Sequence, residues 1–202
     1  MNDTNIKIEE IISGDHIIEL KELLQEKDIK TLNTITKSFL DVEKMEIPLI
    51  QYCIIKKAIE CFKYLLVNGF DDPNKTMEEL NPESFYDSNV NETIYIKRYE
   101  WDCIATAIYF GNKEIIKILE ERGIEKGKNP SHIEAAILSY RNQVVKEIIE
   151  DLNENKAQIQ NILNLSLMTS AKNNNITGIK FLMTKGADIN AKAIILFLLN
   201  II

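Results

Sequence analysis

The side chains best suited to chemistry are few in this sequence and far apart. The two histidines, His16 and His132, stand more than a hundred residues apart, and neither belongs to a His-Glu-x-x-His pattern that would hold zinc. His132 follows Pro130-Ser131 and precedes Glu134, the Ser-x-x-Glu spacing of a capping box, so a structural role at a helix start is expected. His16 follows Gly14-Asp15 and reads as a solvated turn residue. The cysteines are Cys53, Cys61 and Cys103, an odd number with no Cys-x-x-Cys pair, which supports neither a zinc site nor a disulfide framework. The first two fall on interior positions of a helical pattern, where a thiol acts as a small buried hydrophobe. A phosphate loop fails at Gly123 to Ser131, because its two glycines, Gly123 and Gly127, are too close and Asn129 follows Lys128 where Ser or Thr is needed. No catalytic, cofactor-binding or metal-binding residues are therefore assigned, no cofactor is expected, and the chain is not expected to be an enzyme.

The chemistry that remains is recognition. Tyr95, Tyr99 and Trp101 cluster just ahead of the helical segment that ends in Tyr109 and Phe110, and Tyr140-Arg141 stands at the corresponding point further on. Tyr, Trp and Arg bury much area at modest entropic cost, which is why binding hot spots favour them. Two readings stand: these seven residues form a protein-binding patch, or the rings fold back and pack as core.

The elements that must position them come from a repeated segment. Its clearest copy runs from Trp101 to Gly123 (WDCIATAIYFGNKEIIKILEERG). A helix over about 104 to 110 is broken at Gly111-Asn112, and a second carries Ile115, Ile116, Ile118 and Leu119 at helical spacing before Gly123 stops it. Related segments lie at 5–30, 47–70, 130–152 and 162–190. Self-similarity of this kind predicts stacked supersecondary units. The expected fold class is all-α: a solenoid of about five helix-turn-helix repeats in a single domain spanning 1–202. Two connections interrupt it. Residues 31–46 carry Leu32, Ile35, Phe39 and Leu40, which suggests an extra helix, whereas the insert at 71–100 contains Thr93 to Tyr99 (TIYIKRY), which favours strand and a hairpin arm.

The chain has 202 residues, 45% of them apolar, and a net charge of −7. That is enough to bury a substantial core, and the acidic balance disfavours a nucleic-acid partner. The N-terminal stretch lacks the basic and apolar regions of a secretory signal, so a cytoplasmic or nuclear location is expected. The final residues 191–202 read as a truncated further unit. As an alternative, Ile194 to Ile202 could serve self-association or membrane attachment, although the run is about half the roughly 20 residues needed to span a bilayer.

The repeat resembles the ankyrin repeat. Ala107, Gly111, the run Ile115-Ile116-Lys117-Ile118-Leu119 and Gly123 fall on that family's pattern. So do Ile179 to Leu182 with Gly186-Ala187-Asp188-Ile189-Asn190, and Cys61 to Leu66 with Gly69. The family's Thr-Pro-Leu-His opening is intact in no copy. The resemblance implies a scaffold or adaptor that binds a protein partner through the concave face of its first helices, with the 71–100 insert as a further candidate contact and a monomer favoured.

Overall fold

The computed structural model describes residues 3–26, 34–40, 42–79, 83–87, 92–96, 100–127, 129–152 and 156–190. Ten helices and two small antiparallel sheets are found among them, so the chain is mainly helical. The helices follow in twos along the chain: α1 (Asp3–Ser13) and α2 (Ile17–Glu26), α3 (Leu49–Lys56) and α4 (Ile59–Val67), α5 (Cys103–Phe110) and α6 (Lys113–Glu120), α7 (Pro130–Leu138) and α8 (Asn142–Glu150), and α9 (Lys156–Lys172) and α10 (Ile176–Thr184); α1 packs with α2, α3 with α4, α7 with α8 and α9 with α10. The chain divides into two compact units, Met1–Ala107 and Ile108–Ile202, with the boundary inside α5.

One backbone device closes every pair. A residue with left-handed backbone sits between the helices in each: Asp15, Lys57, Gly111, Tyr140 and Asn174, at φ between 53° and 70°. In all five its amide donates three residues back, to Ile12, Ile54, Ile108, Ile137 and Ala171 respectively. In four the next amide donates five residues back, as from Ala58 to Cys53 (2.9 Å) and from Arg141 to Ala136 (2.8 Å). These are the two bonds of a Schellman closure, which satisfies the carbonyls orphaned at a helix end. The one glycine among the five is Gly111. In the first pair the left-handed residue is Asp15, and Gly14 is not, so the turn falls one residue later than the glycine suggests.

Packing repeats as well. In the first unit α1 packs against α3 and α2 against α4, and in the second α7 packs against α9 and α8 against α10. First helices meet first helices, and second meet second. The first helix of each central pair is buried almost all round: Leu49 to Ile54 and Trp101 to Ile108 are all inaccessible. The second helices are amphipathic, with Ile115 and Leu119 of α6 and Val145, Ile148 and Ile149 of α8 facing inward.

Side chains stitch one pair to the next. The Asp15 carboxylate, from the turn of the first pair, accepts from the backbone amides of Cys61 (2.8 Å) and Glu60 (3.1 Å) at the start of α4. Burial of Asp15 raises its pKa, but the bonds from Cys61 and Glu60 prevail and the carboxyl ends below its usual range. In the second unit the Asn175 amide both accepts from Gly178, capping its own helix, and donates to the Ile137 carbonyl of the preceding pair (3.2 Å).

The segment expected to be a helix at 31–46 is a hairpin instead. Strands β1 (Thr34–Phe39) and β2 (Val42–Pro48) pair antiparallel with Ile35 opposite Ile47 and Lys37 opposite Met45, and β3 (Glu78–Glu79) adds to the β2 edge. Ile35, Met45 and Ile47 are buried, while Thr36 and Lys44 between them are exposed. The period is two, carried by a threonine-rich strand, and it wins over the looser helical spacing of Ile35, Phe39 and Leu40. In the 71–100 insert, strands β4 (Glu83–Asp87) and β5 (Glu92–Ile96) form the expected hairpin, with Ser84 opposite Tyr95.

The insert is anchored at both ends by one buried amide. Gln51 of α3 donates through Nε2 to the carbonyls of Lys75 (2.6 Å) and Trp101 (2.9 Å), and its Oε1 accepts from the Thr106 hydroxyl (3.1 Å). Met77 and Cys103 add backbone bonds to Trp101 and Pro73.

Two measurements test this account. A left-handed conformation costs a non-glycine residue about 1–2 kcal/mol, so Lys57→Gly is expected to raise unfolding free energy by about 0.5–1 kcal/mol in urea titrations. Gly111→Ala is expected to lower it by at least about 1 kcal/mol, because a Cβ there would also strike Arg141. Removing the cross-pair cap with Asp15→Ala should cost about 1 kcal/mol at neutral pH. Because the Asp15 carboxyl is held low in the fold, its contribution is complete above the unfolded-state pKa and is lost as pH falls through the folded one. Wild type and Asp15→Ala should therefore converge in stability in acid; curves that stay parallel at low pH would refute the assignment.

Candidate interaction surface

The seven aromatic and arginine positions do not form one patch. Trp101 is fully buried, so it does not meet a partner, and the packing reading holds for it. Tyr95 lies on β5, with its side chain outside the described residues, and Tyr99 lies outside them altogether. The other four come together in the second unit, at the turns that join first to second helices.

Tyr109 and Phe110 end α5, half-buried and stacked edge to face with centroids 5.2 Å apart. Arg141 lays its guanidinium over Gly111: a Cβ at that glycine would lie 2.1 Å from Nη2. Its Nη2 makes a long bond of 3.4 Å to the Tyr109 carbonyl, and its Nε is shut off from solvent without a hydrogen-bond partner. Tyr140, the left-handed residue of its turn, is 58% exposed and donates its hydroxyl to the Asn173 carbonyl of the next turn. Ile176, which opens α10 just beyond that turn, is also 58% exposed.

Below these turns α6 and α8 flank a groove of about 700 Å³. Its apolar lining includes Ile116 and Val144, and Lys113, Lys117, Lys126 and Arg141 line it together with Glu120 and Glu147. Lys126 takes up both carboxylates, at 3.0 Å from Glu147 and 3.7 Å from Glu120. Its partial burial works against its charge, yet the bond to Glu147 and the charge of Glu120 raise its pKa overall. The same bond from Lys126 holds the Glu147 carboxyl below its usual range. Lys113 makes no ion pair among the described residues, and Lys117 reaches the exposed Glu121 at 3.7 Å.

The groups first weighed for chemistry are tied into the fold. Cys53, Cys61 and Cys103 are free and buried. Burial pushes all three thiols up, that of Cys61 to about 12 with help from the Asp15 hydrogen bond and charge, so none is a thiolate at neutral pH. His132 is buried at the start of α7, where its Nδ1 accepts from the Gly127 amide at 2.9 Å, which puts the proton of the neutral ring on Nε2. The capping box expected from Ser131 is not formed. Asn129 caps α7 by accepting from the Ser131 amide, and Pro130 fills the first helical position, where no amide is needed. His16 is exposed and bonded to Glu19 at 3.0 Å, as a solvated turn residue should be. No three His, Cys, Asp or Glu side chains among the described residues are placed to hold a metal ion. Nor is any described helix long and apolar enough to cross a membrane; the stretch Ile194 to Ile202 lies outside the described residues.

The groove was not legible in the sequence. Its cations come from α6, the following loop and the next turn, and only the fold brings these segments together. Lys113 and Lys117, four apart on one helix face, were the single local signal. Searches against protein-family models and curated proteins give no match for this chain.

Trp101→Ala removes a fully buried indole and is expected to cost about 3–5 kcal/mol. A loss of cooperative unfolding or a large drop in the urea midpoint would be the signature; an unchanged midpoint would mean the ring is not core.

Proposed function

We propose that this chain is a protein-interaction module of the ankyrin-repeat type, acting as a scaffold or adaptor rather than as a catalyst. The observation that carries the reading is the left-handed turn recurring at the equivalent place between five successive twos of helices, with both Schellman bonds in four of them, whichever residue occupies it. An array of this kind holds its turns at fixed intervals and leaves their outer side chains free for contact. Tyr140 and Ile176, on successive turns, leave more than half of their surface exposed, Tyr140 being tied down only through its hydroxyl to the Asn173 carbonyl. The burial of the three thiols and the fixing of His132 agree with a role in binding. The contact surface proposed is the turn edge of residues 108–190 with the adjoining first helices, and the 71–100 hairpin is a second place for a partner to dock.

Affinity capture from a cell lysate, followed by titration of the recovered partner against purified protein, tests the reading. Tyr140→Asp and Ile176→Glu are expected to weaken the partner by about tenfold or more each, with helical circular dichroism unchanged. Finding no saturable partner for a folded, monomeric protein would sink the proposal, as would full affinity in both variants.

A further inference from the structure

The groove between α6 and α8 carries a positive charge that the rest of the chain does not share. Four cations and two carboxylates line it, in a protein of net charge −7. Four cations against two carboxylates leave two positive charges over: Lys126 is paired with both carboxylates and Lys117 with Glu121, while Lys113 and Arg141 have no carboxylate at ion-pair distance among the described residues. Arg141 is the more telling of the two. Its guanidinium is pinned flat over Gly111, its Nε is desolvated and unpartnered, and its one hydrogen bond is long at 3.4 Å. The guanidinium lines the groove with only this weak bond on its Nη2, and a planar fork of donors is best matched by a carboxylate. Lys113, exposed and without an ion-pair partner among the described residues, opens into the same groove. Between them Ile116 and Val144 offer an apolar lining. The volume of about 700 Å³ falls within the range of ligand clefts, about 300–1,000 Å³.

We propose that this groove binds an acidic peptide segment of the partner protein, one that sets a Glu or Asp carboxylate against Arg141 and Lys113 and lays an apolar side chain on Ile116 and Val144. The proposal rests on the interaction-module reading and adds the chemistry of what is bound. A peptide is favoured over a nucleic acid because the cations are interleaved with Glu120 and Glu147, which a continuous phosphate backbone would have to pass.

The test is fluorescence anisotropy on the full chain, with a labelled peptide of Glu-Glu-Leu repeats as probe and the Gln-Gln-Leu version as comparator. The acidic peptide should bind saturably, at least about tenfold more tightly than the neutral one, and weaken as salt rises. Lys113→Glu and Arg141→Gln should each weaken it by about tenfold or more, while Lys180→Glu, an exposed charge reversal outside the groove, should leave it unchanged. Should Arg141→Gln disturb folding, the exposed Lys113→Glu carries the comparison. Equal affinity for the two peptides, or wild-type affinity in Lys113→Glu, would overturn the proposal. So would displacement of the acidic peptide by a single-stranded oligonucleotide at equal charge concentration. A natural partner captured from cells whose binding ignores Lys113→Glu would also refute the groove while leaving the interaction-module reading intact.

Discussion

The left-handed residue between the two helices of each pair is the constraint on which the rest of this structure depends. Reversing a helix within one residue requires positive φ, and the bonds that close the turn, both of the Schellman pair in four of the five, then settle where the next helix can start. That start decides which face of the second helix turns inward, and so which of its apolar residues reach the core. Four of the five positions pay a conformational cost, since only Gly111 is free of the Cβ penalty. The cost is tolerated because the surrounding packing leaves the chain no better alternative.

The same turns explain why polar stitching between pairs gathers where it does. A residue held at a fixed φ presents its side chain in a fixed direction, and a side chain so directed can reach the neighbouring pair. Asp15 reaches the open amides of α4, Tyr140 reaches Asn173, and Arg141, next to its own left-handed neighbour, lies across Gly111. Gly111 and Arg141 are thus coupled: the absent Cβ of one makes room for the guanidinium of the other. That coupling sets one of the groove's four cations in place.

Much of the helical architecture could be read from the sequence because it is local. Apolar spacing at three and four residues, interrupted near Gly111, marks α5 and α6, and the same grammar marks the other pairs. What resisted reading was non-local. Ile35 and Phe39 fit a helical period as well as a strand's, and only pairing with Met45 and Ile47 decides between them. The sequence left Trp101 open between a binding patch and core, and what decides it is non-local: Gln51, fifty residues earlier, bonds its carbonyl and the ring is fully buried. The Ser131 capping signal was outcompeted by Asn129 two residues before it, with Pro130 already set for the first turn. Of the candidate surface, Tyr109, Phe110, Tyr140 and Arg141 were found by type and position. Of the lysines that give the groove its character, only Lys113 and Lys117 carried a local signal, their spacing of four on one helix.

Gln51 has an implication for how the molecule can change. With one amide nitrogen it holds the carbonyl of Lys75, where the chain departs, and that of Trp101, where it returns. The excursion between them is in effect a closed detour with its entrance and exit welded to the same point. Segments of other length or composition exchanged beyond β3, between Glu79 and Glu100, would leave this anchor, the buried Met77 and the β2–β3 pairing in place. This makes the site a natural graft point, where a lineage could try new appendages and an engineer could splice in a foreign epitope.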